Sequence, residues 1–196
     1  MARRSEHSQE QIKEMVLNAA EAIVVKHGVN ALTVRKIAVD IGYTVGSIYM
    51  VFANMQDLIT HIKLRTLDDL ASQLQSDASH NPEQQLVQLA DQYLSFAQQH
   101  FNRWQFVFDN ADLSLEMPDT YRQKIEQVFT PVETLFRQLK PHASEADIAL
   151  AARALWSGVH GICVLYLSGS LGRAGITDSK QAVDLLVASF IRGWQV

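Results

Sequence analysis

The chain has 196 residues, of which 47% are hydrophobic and 19% charged, and its formal net charge at pH 7 is −4. This composition is that of a globular protein with enough chain to bury a core, and it excludes wholesale disorder. Cys163 is the only cysteine, which excludes an internal disulfide and a cysteine cluster for a metal. We expect no metal or other cofactor.

The first residues are polar, so we expect no secretory signal. No stretch approaches about 18 uninterrupted apolar residues, so we expect no membrane span. A reducing cytoplasm fits these features best. The first 55 residues carry six Lys or Arg against five Asp or Glu, and the remainder carries eleven against sixteen. This balance argues against an indiscriminate polyanion binder and permits one local basic face.

Apolar residues recur at helical spacing along almost the whole chain, and no strand-like alternation stands out. We therefore predict an all-α fold of nine to ten helices. Three of them occupy roughly the first 53 residues. The first begins in a capping box at Ser8 and stops at Gly28, the second is capped by Thr33, and the third is capped by Thr44.

A larger helical bundle is predicted beyond residue 53, so the predicted domains are 1–53 and 54–196. Pro118 opens its seventh helix, which we expect to be kinked or split at Pro131. Ser144 begins a long eighth helix that reaches about Ser168. A loop containing Gly169, Gly172 and Gly175 follows it, before a last helix over 183–194.

The segment 33–52 carries the functional signal. Two short helices joined by a glycine turn form a helix-turn-helix, whose second helix can lie in the major groove of duplex DNA. Short side chains in the first turn of that helix let it sit deep, and a tyrosine one turn on can reach a phosphate or a thymine methyl group. The candidate DNA contacts are Arg35, Lys36, Thr44, Val45, Gly46, Ser47 and Tyr49.

The run LTVRKIAVDIGYTVGSIYMVFANMQDL, residues 32–58, resembles the DNA-binding segment of tetracycline-repressor (TetR/AcrR) family regulators. A weaker likeness surrounds Trp156 and His160, in the stretch LWSGVHG. The resemblance implies a three-helix DNA-binding domain followed by a helical domain that binds a ligand and dimerises. It also implies DNA contacts at these positions: Arg35, Thr44, Val45, Gly46, Ser47 and Tyr49.

Two positions depart from that resemblance. Many members carry Lys where this chain has Met55, and a basic residue or His near Val51. We therefore expect binding that depends more on DNA shape and on the N-terminal arm. Arg3 and Arg4 can enter a minor groove from that arm, or serve only as a solubilising tail.

We expect the aromatic residues of the second domain to fill its hydrophobic core in the first place. The same residue types also line small-molecule pockets between helices. Some of them line a pocket if the resemblance holds, and a small apolar or aromatic effector would occupy it. The candidate ligand contacts are Tyr93, Trp104, Phe108, Phe129, Trp156 and His160.

His160 and Cys163 share a helix face and raise the alternative of a catalytic or metal-binding pair. No nearby carboxylate orients the histidine, and two ligands do not make a zinc site, so we expect a buried thiol and no enzyme. The glycines between 169 and 175 follow a helix, and no Lys-Ser/Thr pair ends the run, so a loop is favoured over a phosphate site.

The last two long helices are broadly apolar and favour a two-fold four-helix interface, as in the resembled family. The sequence thus predicts a homodimeric, ligand-responsive repressor on a pseudo-palindromic operator of double-stranded DNA. Alternatives are an activator, a regulator without a ligand, a helical protein-interaction module and an enzyme.

Overall fold

The computed structural model describes residues 7–77, 79–108 and 118–196. Over these residues it contains ten α-helices, one short 3-10 helix at Val29–Ala31 and no strand, so the predicted all-α fold of nine to ten helices is confirmed. The helices are α1 Gln9–His27, α2 Val34–Ile41, α3 Val45–Tyr49, α4 Met55–Gln73, α5 Pro82–Gln99, α6 Phe101–Phe108, α7 Asp119–Leu139, α8 Glu145–Leu167, α9 Ser170–Arg173 and α10 Ser179–Gln195.

Side-chain caps begin several of these helices where the sequence predicts them. The Ser8 amide donates to Gln11 Oε1 at 2.7 Å, and the Gln11 amide donates to Ser8 Oγ at 3.2 Å, which completes the capping box of α1. The Asp147 amide donates to Ser144 Oγ at 3.1 Å at the start of α8. Each cap satisfies amide groups that the helix itself leaves without a partner.

The described residues fall into two compact units. The first comprises 7–66 and 102–108, and the second comprises 67–77, 79–101 and 118–196. Helix α4 contributes residues to both units, whereas the predicted division into 1–53 and 54–196 assigns α4 and α6 as wholes to the second domain.

The first unit packs α1, α2, α3, the first part of α4 and most of α6 around one apolar core. Polar contacts also join α4 to α1 in this unit, because Arg65 Nη1 donates to Asn18 Oδ1 at 3.0 Å and the same guanidinium pairs with Glu14 and Glu21. The fully buried side chains of this core include Val16, Val24, Ile37, Ile48, Phe52, Leu58 and Ile62.

The second unit packs α5, α7, α8 and α10 against one another. Helices α8 and α10 approach closely at Gly158, where a Cβ atom would lie 2.7 Å from Leu186 Cδ2. Among the described helices, one, α8, is long and apolar enough to cross a membrane. A core helix of a soluble protein can be equally long and apolar, and α8 buries Ile148 and Leu155 in this unit.

The structure differs from the sequence predictions at two places. Of the two alternatives at Pro131, the split is wrong, because α7 runs through the proline with buried Val128 and Leu135 on either side of it. Packing on both sides outweighs the single backbone hydrogen bond that proline removes. The predicted glycine loop contains the one-turn helix α9, because Leu171 is buried and holds that turn against the unit.

Candidate nucleic-acid interface and apolar pocket

Helices α2 and α3 form a helix-turn-helix whose ends are defined by side-chain caps. Thr33 Oγ1 accepts a hydrogen bond from the Lys36 amide at 3.2 Å. Helix α2 stops at Gly42, whose φ of 72° lies in the left-handed region that glycine enters at little cost. Thr44 then caps α3 and accepts from the Ser47 amide at 3.2 Å.

The inner faces of the two helices are anchored in the first unit. Ile37, Ile48 and Phe52 are all buried, so α2 and α3 have a defined orientation against α1. The outer face of α3 is open: the Tyr49 side chain is 47% exposed and Met50 is 69% exposed. A tyrosine and a methionine therefore stand beside Gly46 on a surface that no described residue covers.

Gly46 lies in the first turn of α3, and nothing in the protomer requires a glycine there. Its backbone has no positive φ, and a Cβ atom would meet only Thr44 Oγ1, at an ordinary 3.6 Å, outside the local helix backbone. Glycine in a helix costs about 1 kcal/mol relative to alanine. No contact of Gly46 within the described part of the protomer offsets this cost, and the missing side chain leaves the α3 backbone open to close approach by another molecule.

The other predicted DNA contacts divide into paired and unpaired groups. The hydroxyl groups of Thr44 and Ser47 lie 2.9 Å apart and bond to each other. Val45 is half-buried and packs on the core of the first unit. Arg35 is exposed and Lys36 is half-exposed, and neither forms an ion pair with a described residue.

Arg3 and Arg4 lie outside the described residues. The two positions that depart from the resembled pattern, Val51 and Met55, are partly buried and pack on the first core. Sequence reasoning missed Met50 as part of the open face. Its position between the buried Ile48 and Phe52 is the signal that points it outward.

Helix α4 begins directly after this motif. The Ala53 amide donates to Asp57 Oδ2 at 2.9 Å, and the Asp57 amide donates to Asn54 Oδ1 at 2.9 Å. These two bonds hold the short connection between α3 and α4.

An apolar cavity of about 50 Å³ lies in the second unit, between α5, α7 and α8. None of the described residues that line it is charged, so the cavity favours an uncharged ligand. Its lining residues are Leu74, Leu86, Leu89, Ala90, Tyr93, Val128, Phe129, Val132, Ala152, Leu155, Trp156 and Val159.

One polar pair stands at the edge of this cavity. The Tyr93 hydroxyl lies 2.8 Å from His160 Nδ1, and the His160 ring lies 5.1 Å from that of Trp156. Burial lowers the pKa of His160 below its ordinary value, which favours the neutral imidazole. Four of the six predicted ligand residues are thus close together: Tyr93, Phe129, Trp156 and His160.

The other two predicted ligand residues, Trp104 and Phe108, belong to the first unit. Their rings meet edge-to-face at 5.5 Å. Periodicity marked them as inward-facing but did not reveal which core they face.

The Cys163 side chain has no accessible surface, and burial raises the pKa of its thiol to about 12. The thiol therefore stays protonated at physiological pH, which is the opposite of what a nucleophilic cysteine requires. Among the described residues, no group of three or more His, Cys, Asp or Glu side chains is placed to hold a metal ion.

Two family models match the chain. The model described as "Bacterial regulatory proteins, tetR family" matches residues 16–62, and "Tetracyclin repressor-like, C-terminal domain" matches residues 86–190, which is more than half of the chain. The chain belongs to the tetR family.

A curated relative and two solved structures are similar to the chain. The chain is 25% identical over 159 residues to an uncharacterized HTH-type transcriptional regulator of Mycobacterium tuberculosis, and the match covers 80% of this chain and 71% of the relative. A protein of unknown function from Rhodococcus sp. RHA1 has the same fold, with a TM-score of 0.76, 18% identity and 98% of each chain covered. A tetR-family transcriptional regulator from Streptomyces coelicolor has a TM-score of 0.70 and 17% identity, with 94% of this chain and 80% of that chain covered.

Membership of the tetR family makes the protein a transcriptional regulator of the helix-turn-helix type that acts by binding DNA. The matched N-terminal region, residues 16–62, contains both α2 and α3. The outer face of α3 is therefore the candidate nucleic-acid interface. The second unit contains most of the matched C-terminal region, whose described residues 102–108 belong to the first unit.

Proposed function

We propose that the protein is a homodimeric repressor that binds a pseudo-palindromic operator through α3 and is released by a small apolar or aromatic molecule. The observation that carries the DNA part of this proposal is Gly46. Its missing side chain serves no contact inside the protomer, and a major groove about 12 Å wide accepts a helix whose backbone comes close to the base edges.

The residues around Gly46 have distinct roles in this proposal. Tyr49 and Met50, both exposed, present apolar and hydroxyl surface to the groove. Arg35 and Lys36 supply positive charge to the sugar-phosphate backbone from α2. Thr44 and Ser47 contact the DNA as a hydroxyl pair held by their mutual bond, and half-buried Val45 contributes one edge of its side chain.

The proposed dimer uses α8 and α10. Leu150 on α8 is 68% exposed and Leu185 on α10 is 66% exposed, although both helices bury their opposite faces. A two-fold axis through these faces makes a four-helix interface and presents two copies of α3. Recognition of two half-sites then requires that the two copies lie about one DNA turn, ~34 Å, apart. Residues of this face that are exposed include Leu150, Ala154, Ser157, Val164, Leu165, Leu185, Ala188 and Ser189.

The proposed effector binds in the apolar cavity and acts through α4. Leu74 lines the cavity directly beyond the last turn of α4, and the other end of the same helix follows α3. Asp68 of α4 also pairs with Lys124 of α7 at 2.5 Å. A ligand that binds more tightly when α4 is displaced must weaken DNA binding. Bound DNA then weakens ligand binding by the same factor. We place this regulator in the cytoplasm, where the operator is accessible.

The substitution Gly46→Ala tests the DNA-binding face without damaging the fold. The added methyl group has room in the protomer and improves helix propensity, so thermal stability stays equal or rises. Affinity for a duplex selected with the wild-type chain falls about tenfold or more, because the methyl group holds α3 away from the bases.

Gly172→Ala is the matched control. A Cβ atom at Gly172 would meet nothing within 4 Å, so this substitution is also accommodated, but Gly172 lies in α9 of the second unit. This variant keeps wild-type affinity. Equal affinity of Gly46→Ala and wild type would contradict the proposed docking of α3.

A further inference from the structure

Gly46, Tyr49 and Met50 share the outward face of α3. Residues three and four apart in a helix lie on the same side of it, one turn above each other. The Met50 amide donates to the Gly46 carbonyl at 3.2 Å, so the turn that joins these two residues is closed. Ile48 is buried in the first core, which fixes the opposite face of the helix.

Met50 is the apolar part of this outward face. Its side chain is exposed, whereas the two other described methionines, Met15 and Met55, are partly buried. Its backbone is helical, and a long side chain in a helix leans towards the preceding turn, which here contains Gly46. A group that approaches the bare backbone of Gly46 therefore comes within reach of the Met50 side chain.

The residues of α3 and Met50 include no Arg, Lys, Asn or Gln. Those four residue types make the bidentate hydrogen bonds that identify guanine or adenine. Hydroxyl groups discriminate less between bases, and those of Thr44 and Ser47 already bond to each other. The specific contact that remains for this face is apolar, and the apolar group that a base edge presents in the major groove is the thymine methyl.

We propose that Met50 is a specificity-determining residue that packs on the 5-methyl group of a thymine in each half-site. The inference rests on the proposed DNA-binding function and names the base that α3 recognises. The thioether chain is flexible and polarizable, so it can follow the surface of a methyl group. The apolar surface that each such contact removes from water corresponds to a roughly fourfold gain in affinity for each half-site.

Replacement of thymine by deoxyuridine in a duplex selected with the wild-type protein tests this contact. Uracil lacks the 5-methyl group and keeps the hydrogen-bonding groups of thymine. Each thymine of the half-site is replaced in turn, in both half-sites at once, and affinity is measured by fluorescence anisotropy. At one position or more we expect a loss of roughly ten- to twentyfold, because two methyl groups are removed. A half-site in which no replacement changes the affinity overturns the inference, as does a half-site without thymine.

Met50→Ala shows whether Met50 makes the contact. At the sensitive position, deoxyuridine then lowers affinity less than twofold, because the shortened side chain no longer reaches the methyl group. Met50→Leu keeps an apolar side chain of similar volume and keeps the response. An undiminished response in Met50→Ala means that another group, such as the Tyr49 ring, contacts the methyl group, and overturns the inference.

Val39→Ala is the matched control, because it also shortens an exposed apolar side chain of the helix-turn-helix, on α2. It must keep the full deoxyuridine response, and a response lost in this variant too would overturn the assignment to Met50. All variants must show circular dichroism and thermal unfolding like those of wild type. A wild-type chain that binds no duplex contradicts the proposed function itself. That outcome is distinct from a bound duplex whose affinity ignores the thymine methyl groups.

Discussion

The Tyr93 hydroxyl lies 2.8 Å from Nδ1 of His160 and joins α5 to α8 at the edge of the apolar cavity. The centroid of the His160 ring lies 5.1 Å from that of Trp156, and the centroid of the Trp156 ring lies 5.7 Å from that of Phe129. This chain of rings connects three helices of the second unit. A ligand that enters the cavity therefore meets one hydroxyl group in a wall that is otherwise apolar.

His160 gives the stability of the protein a pH dependence. Burial places the folded-state pKa below the ordinary value of 6.5, so the unfolded chain binds a proton first as the pH falls. The free energy of unfolding therefore decreases as the pH falls below about 6.5, and it levels off once the pH is below the folded-state pKa. Urea denaturation at a series of pH values measures this effect.

The variant His160→Gln loses this part of the pH dependence. The control is the same substitution at the exposed His142, and this variant retains the pH dependence of the wild-type protein. A wild-type pH profile in His160→Gln would show that this imidazole is not the group responsible.

We predict that the cavity discriminates ligands by charge. At about 50 Å³ it is smaller than a toluene molecule, so toluene enters only with outward movement of the lining side chains. None of the described lining residues is charged, so we expect toluene to raise the melting temperature and benzoate at the same concentration not to do so. At ten times its Kd, a ligand stabilises the protein by about 1.4 kcal/mol. Differential scanning fluorimetry compares the two compounds.

Ala90→Leu places extra carbon atoms in the cavity and removes the toluene effect. Stabilisation by benzoate equal to that by toluene, or a full toluene response in Ala90→Leu, would contradict binding at this place.

We expect Arg35 to contribute to DNA binding through its charge. Arg35→Ala lowers the magnitude of the salt slope by about 0.9 for each phosphate that the side chain neutralises. Lys26→Ala removes the same charge from the last turn of α1, about 25 Å along that helix from its first residue, Gln9. Fluorescence anisotropy of the selected duplex distinguishes the two variants, and equal slopes would contradict a role for Arg35.

In the proposed dimer, the exposed leucines of α8 and α10 lie in the interface. Leu150→Asp together with Leu185→Asp converts a particle of twice the 22.0 kDa chain mass into a single chain, because each aspartate places a charge in an apolar interface. Val25→Asp, on an exposed residue of α1, is the control and leaves the mass unchanged. Sedimentation equilibrium measures both, and a dimeric double variant would place the interface elsewhere.

Much of the fold follows from neighbouring residues and was predictable. The caps at Ser8 and Ser144 depend on side chains three residues away, so a short stretch of sequence contains the whole determinant. The helix-turn-helix was predictable for the same reason, since Thr33, Gly42 and Thr44 mark its ends within twelve residues.

Contacts between distant parts of the chain were not predictable. Periodicity marks Trp104 and Phe108 as inward-facing, but only the folded chain shows that they join the first unit. The 2.7 Å hydrogen bond between His7 Nδ1 and the Tyr43 hydroxyl leaves no pattern in the sequence, because α1, the 3-10 helix and α2 separate its residues. Continuity through Pro131 depends on packing around α7, which local propensity does not contain.

The most direct test of the proposed operator recognition by α3 is the selection of duplexes that the purified wild-type protein binds in a pool of random sequences. Docking of two copies of α3 predicts an enriched motif with two-fold symmetry, whose half-site centres lie about one helical turn, ~34 Å, apart. Enrichment of no sequence, or of a single half-site without a symmetric partner, would contradict it.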